Sequence, residues 1–151
     1  MGTSLRRTQA PEHSVLVVDD DRDLVRAVGM RLGQAGFRAL AAFDGEAGLA
    51  IARRDRPAAI ILDLRMPLMD GFALLAELHR FPSTAGIPAI VLSADAADRA
   101  RLRALTGGAA YFVEKPYAPR DLIVALNAAL AAGGRREAAA RQPLPDATTG
   151  A

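Results

Sequence analysis

A small set of polar residues stands where apolar runs stop. VLVV is followed by Asp19-Asp20-Asp21, AAIIL by Asp63, AIVL by Ser93, and the segment YFVE by Lys115-Pro116. Carboxylates crowded into one cleft repel each other unless a cation joins them. Oxygen donors without histidine or cysteine are the ligands magnesium prefers, with water completing its octahedron. A lysine ammonium is a compact point charge suited to an anion held in a confined place, and a serine hydroxyl can add a hydrogen bond. The lysine stands out because 18 of the 19 basic residues are arginine. The same residues also suit plainer duties: Asp21 a helix N-cap, Asp63 a turn, Ser93 a strand-end cap, Lys115 a solvated loop.

The elements that must position these groups follow from periodicity. Val15 to Val18, Ala59 to Leu62 and Ile87 to Leu92 are short β-branched runs, which predicts strands buried on both faces of a parallel sheet. Phe37 to Ala41 and Ala109 to Val113 are interrupted or flanked by charge, as edge strands are. Between them, apolar spacing predicts helices over Arg22 to Ala35, Gly45 to Arg54, Phe72 to Arg80, Ala96 to Thr106 and Pro119 to Ala132. Asp44, Asp70 or Gly71, and Asp95 suit helix starts, Pro119 a first helical position, and Gly107-Gly108 and Gly133-Gly134 helix stops. Right-handed crossovers then give an α/β, doubly wound, five-stranded parallel sheet in the order 2-1-3-4-5. Ligands in such sheets bind outside the carboxyl ends of the strands, which is where every residue above falls.

The chain has 151 residues, no cysteine and two histidines, which excludes disulfides, thiolate chemistry and cysteine-based zinc sites. The net charge of +2 lies in the ends: Arg6 and Arg7 precede the body, and Arg135, Arg136 and Arg141 outnumber Glu137 and Asp146 after it. A nearly neutral body has no general attraction for nucleic acid. The uncharged stretch Leu122 to Gly134 is too short to span a bilayer, and the first 13 residues lack the apolar core of a secretory leader. The expectation is a cytoplasmic protein with no membrane association. Residues 1–11 read as a flexible arm, 12–132 as one domain and 133–151 as a flexible tail with no room for a DNA-binding domain.

VLVVDDD, IILDLRMPLMDG, AIVLSA and GGAAYFVEKPY, in this order over about residues 12 to 132, closely resemble the receiver domain of two-component response regulators, of the stand-alone, chemotaxis-regulator-like kind. The resemblance implies a flavodoxin-like (βα)5 fold. It implies that Asp63 accepts a phosphoryl group from the phosphohistidine of a sensor histidine kinase or phosphotransfer protein. Asp19, Asp20, Asp63 and the backbone carbonyl of Arg65 would hold magnesium, with manganese able to substitute. Lys115 and Ser93 would contact the phosphoryl group, beside which the small Ala94 leaves room. Such a protein is no enzyme in the usual sense, catalysing only its own phosphorylation and autodephosphorylation.

The resemblance further implies that Ser93 and Phe112 form the switch pair, although Phe112 has no hydroxyl and Tyr111 should lie on the other face. Arg65 and Asp95 would tune the lifetime of the phosphorylated form. The Lys115-Pro116 peptide is often cis in the family. Signalling would pass through the α4-β5-α5 face, made by the Ala96 to Thr106 helix, the last strand and the last helix; it carries Arg99, Arg101, Arg103 and Arg120. A downstream protein or a second copy of the chain would bind there. Two rival readings are an aspartyl phosphohydrolase of the haloacid-dehalogenase type, for which Asp19-x-Asp21 fits the nucleophile motif, and a pseudo-receiver that binds partners without phosphorylation.

Overall fold

The computed structural model describes residues 13–94 and 98–141, with side chains described for residues 13–94 and 99–133. In chain order the elements are β1 (Ser14–Val18), α1 (Arg22–Gln34), β2 (Arg38–Ala42), α2 (Gly45–Asp55), β3 (Ala59–Leu62), α3 (Gly71–Arg80), α4 (Pro82–Ala85), β4 (Ala89–Ser93), α5 (Asp98–Thr106), β5 (Tyr111–Glu114) and α6 (Pro119–Arg141). The sheet order is β2-β1-β3-β4-β5 and every pairing is parallel, as expected.

Strand alternation divides the core into two layers. Leu16, Val18, Ile60, Leu62, Ala89 and Val91 face one side, against Ala52 of α2, Leu74, Leu75 and Leu78 of α3, and Ala100 and Ala104 of α5. Val15, Val17, Ala59, Ile61, Ile90 and Leu92 face the other, against Val25, Val28 and Leu32 of α1 and Leu122, Leu126 and Ala129 of α6. Because β1, β3 and β4 are buried on both faces, their ends are fixed, and so is whatever side chain comes next. The outer strands are the exposed ones, with Arg38, Ala39 and Ala41 open on β2 and Tyr111 and Glu114 on β5.

Three strands begin later than the hydrophobic pattern predicts, for one reason. The Phe37 amide bonds to Leu32 O, that of Ile87 to Thr84 O, and that of Ala109 to Ala104 O, so each closes the preceding helix instead of joining the sheet. The predicted caps hold at Asp44 and Asp70, whose carboxylates accept from the amides of Ala47 and Ala73 at 2.7 and 2.8 Å. Asp95, with Ala96 and Ala97, lies outside the described residues.

One element is additional and one expectation is corrected. After α3, Pro82 opens the short α4, and buried Thr84 donates from Oγ1 to Leu78 O at 2.7 Å. Gly133-Gly134 does not stop the last helix, which continues to Arg141. Glycine inside a helix costs about 1 kcal/mol relative to alanine, and the following REAAAR is built of strong helix formers that offset it.

Candidate functional site

The site starts at the crossing point of the sheet. The amide of Asp19 bonds to Ala42 O at 3.2 Å and that of Asp63 to Val18 O at 3.0 Å, which continues the β1 ladders one residue past the strands. Both carboxylates therefore leave the sheet side by side, between the helices that diverge there. Asp19 and Asp63 are buried, while Asp20 is exposed.

Asp19 is held at both oxygens. Its Oδ1 accepts from the Asp21 amide at 2.9 Å, and its Oδ2 from Lys115 Nζ at 3.0 Å. The same ammonium lies 3.7 Å from Oδ1 of Asp63. Lys115 is delivered by β5, since its amide bonds to Ser93 O at 2.9 Å, and the peptide to Pro116 is cis. Burial pushes the Asp19 carboxyl above the usual carboxylate range, opposed by the Asp21 amide and by Lys115. Burial also raises the Asp63 carboxyl, with Lys115 opposing and the negative charges of Asp19 and Asp20 adding to the rise. One ammonium does not balance three carboxylates.

Asp19, Asp20 and Asp63 each offer a carboxylate oxygen, all within 4.8 Å of one another. An oxygen-only donor set with excess negative charge, open to water on the Asp20 side, fits a hard divalent cation. These three residues could hold a metal ion. Asp21 takes no part, because its exposed carboxylate caps α1, accepting from the amides of Asp23 and Leu24 at 3.1 Å each. The Asp19-x-Asp21 pair that fits a phosphohydrolase motif is thus split between the cleft and a helix cap.

Ser93 ends β4 and is buried. Phe112 is half-buried against the layer that holds Val91, and the Arg101 guanidinium lies 5.4 Å from its ring centre. Tyr111 is exposed, as strand alternation requires. Arg65 is exposed in the loop after β3, and Asp95 lies outside the described residues.

Sequence reading missed two supporting contacts. A Cβ on Gly71 would collide with Asp63 O and come within 2.7 Å of Leu64 Cα, so the chain returning to α3 passes directly under the Asp63 backbone. The Gly in MPLMDG was a visible signal, but its neighbour was not. Arg22 lies 4.1 Å over the Phe43 ring and ties the start of α1 to the β2–α2 junction.

Residues 15–127 match the profile of the response regulator receiver domain. The chain is 35% identical over 126 residues to a probable transcriptional regulatory protein, TcrX, of Mycobacterium tuberculosis, covering 83% of this chain and 53% of that protein. It is 35% identical over 116 residues to the transcriptional regulatory protein PrrA of the same organism, covering 77% of this chain and 49% of that one. It spans about half the length of these curated relatives. The fold superposes on the chemotaxis protein CheY4 of Vibrio cholerae with a TM-score of 0.74 and 28% identity, covering 78% of this chain and 98% of that chain. Among the described residues no helix is long and apolar enough to cross a membrane.

Proposed function

Since the chain belongs to the response regulator receiver domain family, we propose that it is the phosphoacceptor of a two-component system, taking a phosphoryl group on Asp63 from the phosphohistidine of a sensor kinase or phosphotransfer protein. The observation that carries this reading is the buried Asp63 carboxylate, 3.7 Å from the Lys115 ammonium and clustered with Asp19 and Asp20.

A carboxylate oxygen of Asp63 attacks phosphorus in line. The P–N bond breaks, its electron pair returns to the imidazole, and an acyl phosphate forms. Burial keeps the nucleophile poorly solvated, and Lys115 stands close enough to follow the charge from Asp19 to a phosphoryl oxygen. Ser93, at the neighbouring strand end, supplies a hydroxyl to another oxygen, and Phe112 fills the space that Ser93 leaves. Magnesium, or manganese in its place, would be held by Asp19, Asp20, Asp63 and the Arg65 carbonyl, and when bound it offsets the charge gathering on the phosphoryl oxygens. Water attacking the same phosphorus ends the signal, and Arg65 at the mouth, with Asp95, slows it. The protein acts in the cytoplasm, on residues 12–132 as its receiver unit.

Output leaves through the α5-β5-α6 side, where Leu102, Leu105, Tyr111 and Val124 are exposed beside Arg99, Arg101, Arg103 and Arg120. A downstream protein or a second copy binds there. Incubation with labelled acetyl phosphate and magnesium tests the reading: one phosphoryl group per chain, on Asp63, is expected. Multiple turnover without a labelled protein would sink it.

A further inference from the structure

The loop between Asp63 and α3 is pinned at both ends. The Asp63 amide bonds to Val18 O, the Gly71 amide to Leu64 O at 2.9 Å, and Asp70 caps α3. Met69 packs so closely on the β2–α2 turn that a Cβ on Gly45 would come within 2.7 Å of its carbonyl oxygen. At the tip of this rigid loop stands Leu68, with φ +69° and a fully solvent-exposed side chain.

Both properties are unfavourable for a leucine. A left-handed backbone crowds its Cβ, and glycine would adopt it freely. Arg56 is the only other described non-glycine residue with positive φ, and it ends a helix, its amide bonding to Ala52 O. Leu68 ends nothing. Met30, Leu102, Leu105 and Val124 are also exposed, but each lies on a helix with ordinary backbone. Single exposed apolar residues are common; one that is both strained and wholly uncovered, on a loop held this tightly, gains nothing inside its own chain.

What covers it is set by its place. Leu68 is three residues from Gly71, hence within about 11 Å of it, and Gly71 abuts the Asp63 backbone. A protein that brings a phosphohistidine to Asp63 must sit over this edge of the sheet. A standard interface covers about 800 Å² on each partner, a disc of roughly 16 Å radius, and centred on Asp63 it includes the loop tip. The geometry points to Leu68 as the apolar anchor by which this chain grips its protein phosphodonor, inserting into an apolar recess beside the donor's phosphohistidine. This rests on the phosphotransfer reading above and adds a specificity determinant to it. A small donor such as acetyl phosphate is too small to touch Leu68.

The test compares wild type, Leu68→Ser and Leu68→Gly with two donors: acetyl phosphate, and whichever phosphorylated histidine kinase of the source organism labels the wild type in a transfer panel. Labelling by acetyl phosphate should be unchanged in both variants. Transfer from the kinase should fall about tenfold in both, mainly through a higher KM. Leu68→Gly should also melt roughly 2–4 °C higher as the strain is relieved. Wild-type kinase transfer by Leu68→Ser would overturn the anchor while leaving the phosphoacceptor reading intact. An equal loss with both donors would make Leu68 a structural part of the loop and overturn it too. A wild type labelled by neither donor would sink both readings together.

Discussion

The carbonyl oxygen of Asp63 occupies the space that a side chain on Gly71 would fill. The phosphoacceptor is therefore placed from beneath by the start of α3 as well as from the sheet. Gly71→Ala should destabilise the fold by about 1–3 kcal/mol, the range for forcing extra volume into a packed site. Urea unfolding measures that loss. Labelling of the folded fraction by acetyl phosphate should slow as well, because the obstructing atom belongs to Asp63 itself; a normal rate would show that α3 can shift without moving the carboxylate.

Burial raises the carboxyls of Asp63 and Asp19 in the folded chain. The folded state thus binds protons more tightly than the unfolded one, and this pair favours folding below the unfolded value of 3.8 and loses that contribution as pH rises through the raised folded values. Asp63→Asn removes the buried charge. Without metal it should raise the melting temperature at pH 7 by about 2–4 °C, equivalent to about 1 kcal/mol at this size, and by less at pH 4. It should abolish labelling at every pH, an amide being too weak a nucleophile. Equal shifts at both pH values would separate the stabilisation from ionisation.

Lys115 bonds Asp19 at 3.0 Å from a largely buried position, where a planar guanidinium cannot take the place of a compact ammonium. Lys115→Arg should fold and still be labelled, but it should lose the phosphorylation-dependent change in partner binding. Binding curves with and without acetyl phosphate should coincide for the variant and differ for wild type. A wild-type response in the variant would make the single lysine incidental.

Arg65 lies exposed two residues after Asp63, and the proposed lifetime role sets it over the approach of water. Arg65→Ala should speed loss of label after donor removal about tenfold, a barrier change of about 1.4 kcal/mol. Decay at the wild-type rate would remove Arg65 from the hydrolytic step.

Local pattern is the part of this structure that is legible in the sequence. Apolar runs mark the three central strands, and the polar residues that follow them, Asp19, Asp63 and Ser93, mark the site, because a parallel strand buried on both faces gives its next residue a fixed place. The strand starts are less legible: Phe37, Ile87 and Ala109 are apolar enough for a strand, yet their amides close helices. The order of Asp19-Asp20-Asp21 makes Asp21 a candidate cap, and the structure agrees; what the order does not show is that Asp19, fixed by the β1–β2 ladder, bonds Lys115 at the end of β5. Gly133-Gly134 has the composition of a stop, but glycine ends a helix only where the next residues leave the helical conformation, and Arg135 to Arg141 keep it. Leu68 gives no signal, since left-handed backbone at a leucine has no pattern in composition or period.

The Lys115–Asp19 bond joins residues 96 positions apart in the chain. Contacts of that span form only after the intervening loops have been closed, at an entropic cost that nothing nearer in sequence repays. The counter-charge of the acidic cleft is therefore supplied from the end of β5, the last strand of the sheet in chain order. A growing chain still lacking β5, or a fragment cut before it, has the carboxylates without their lysine. A charge-compensated acidic cleft is thus a property of the completed sheet.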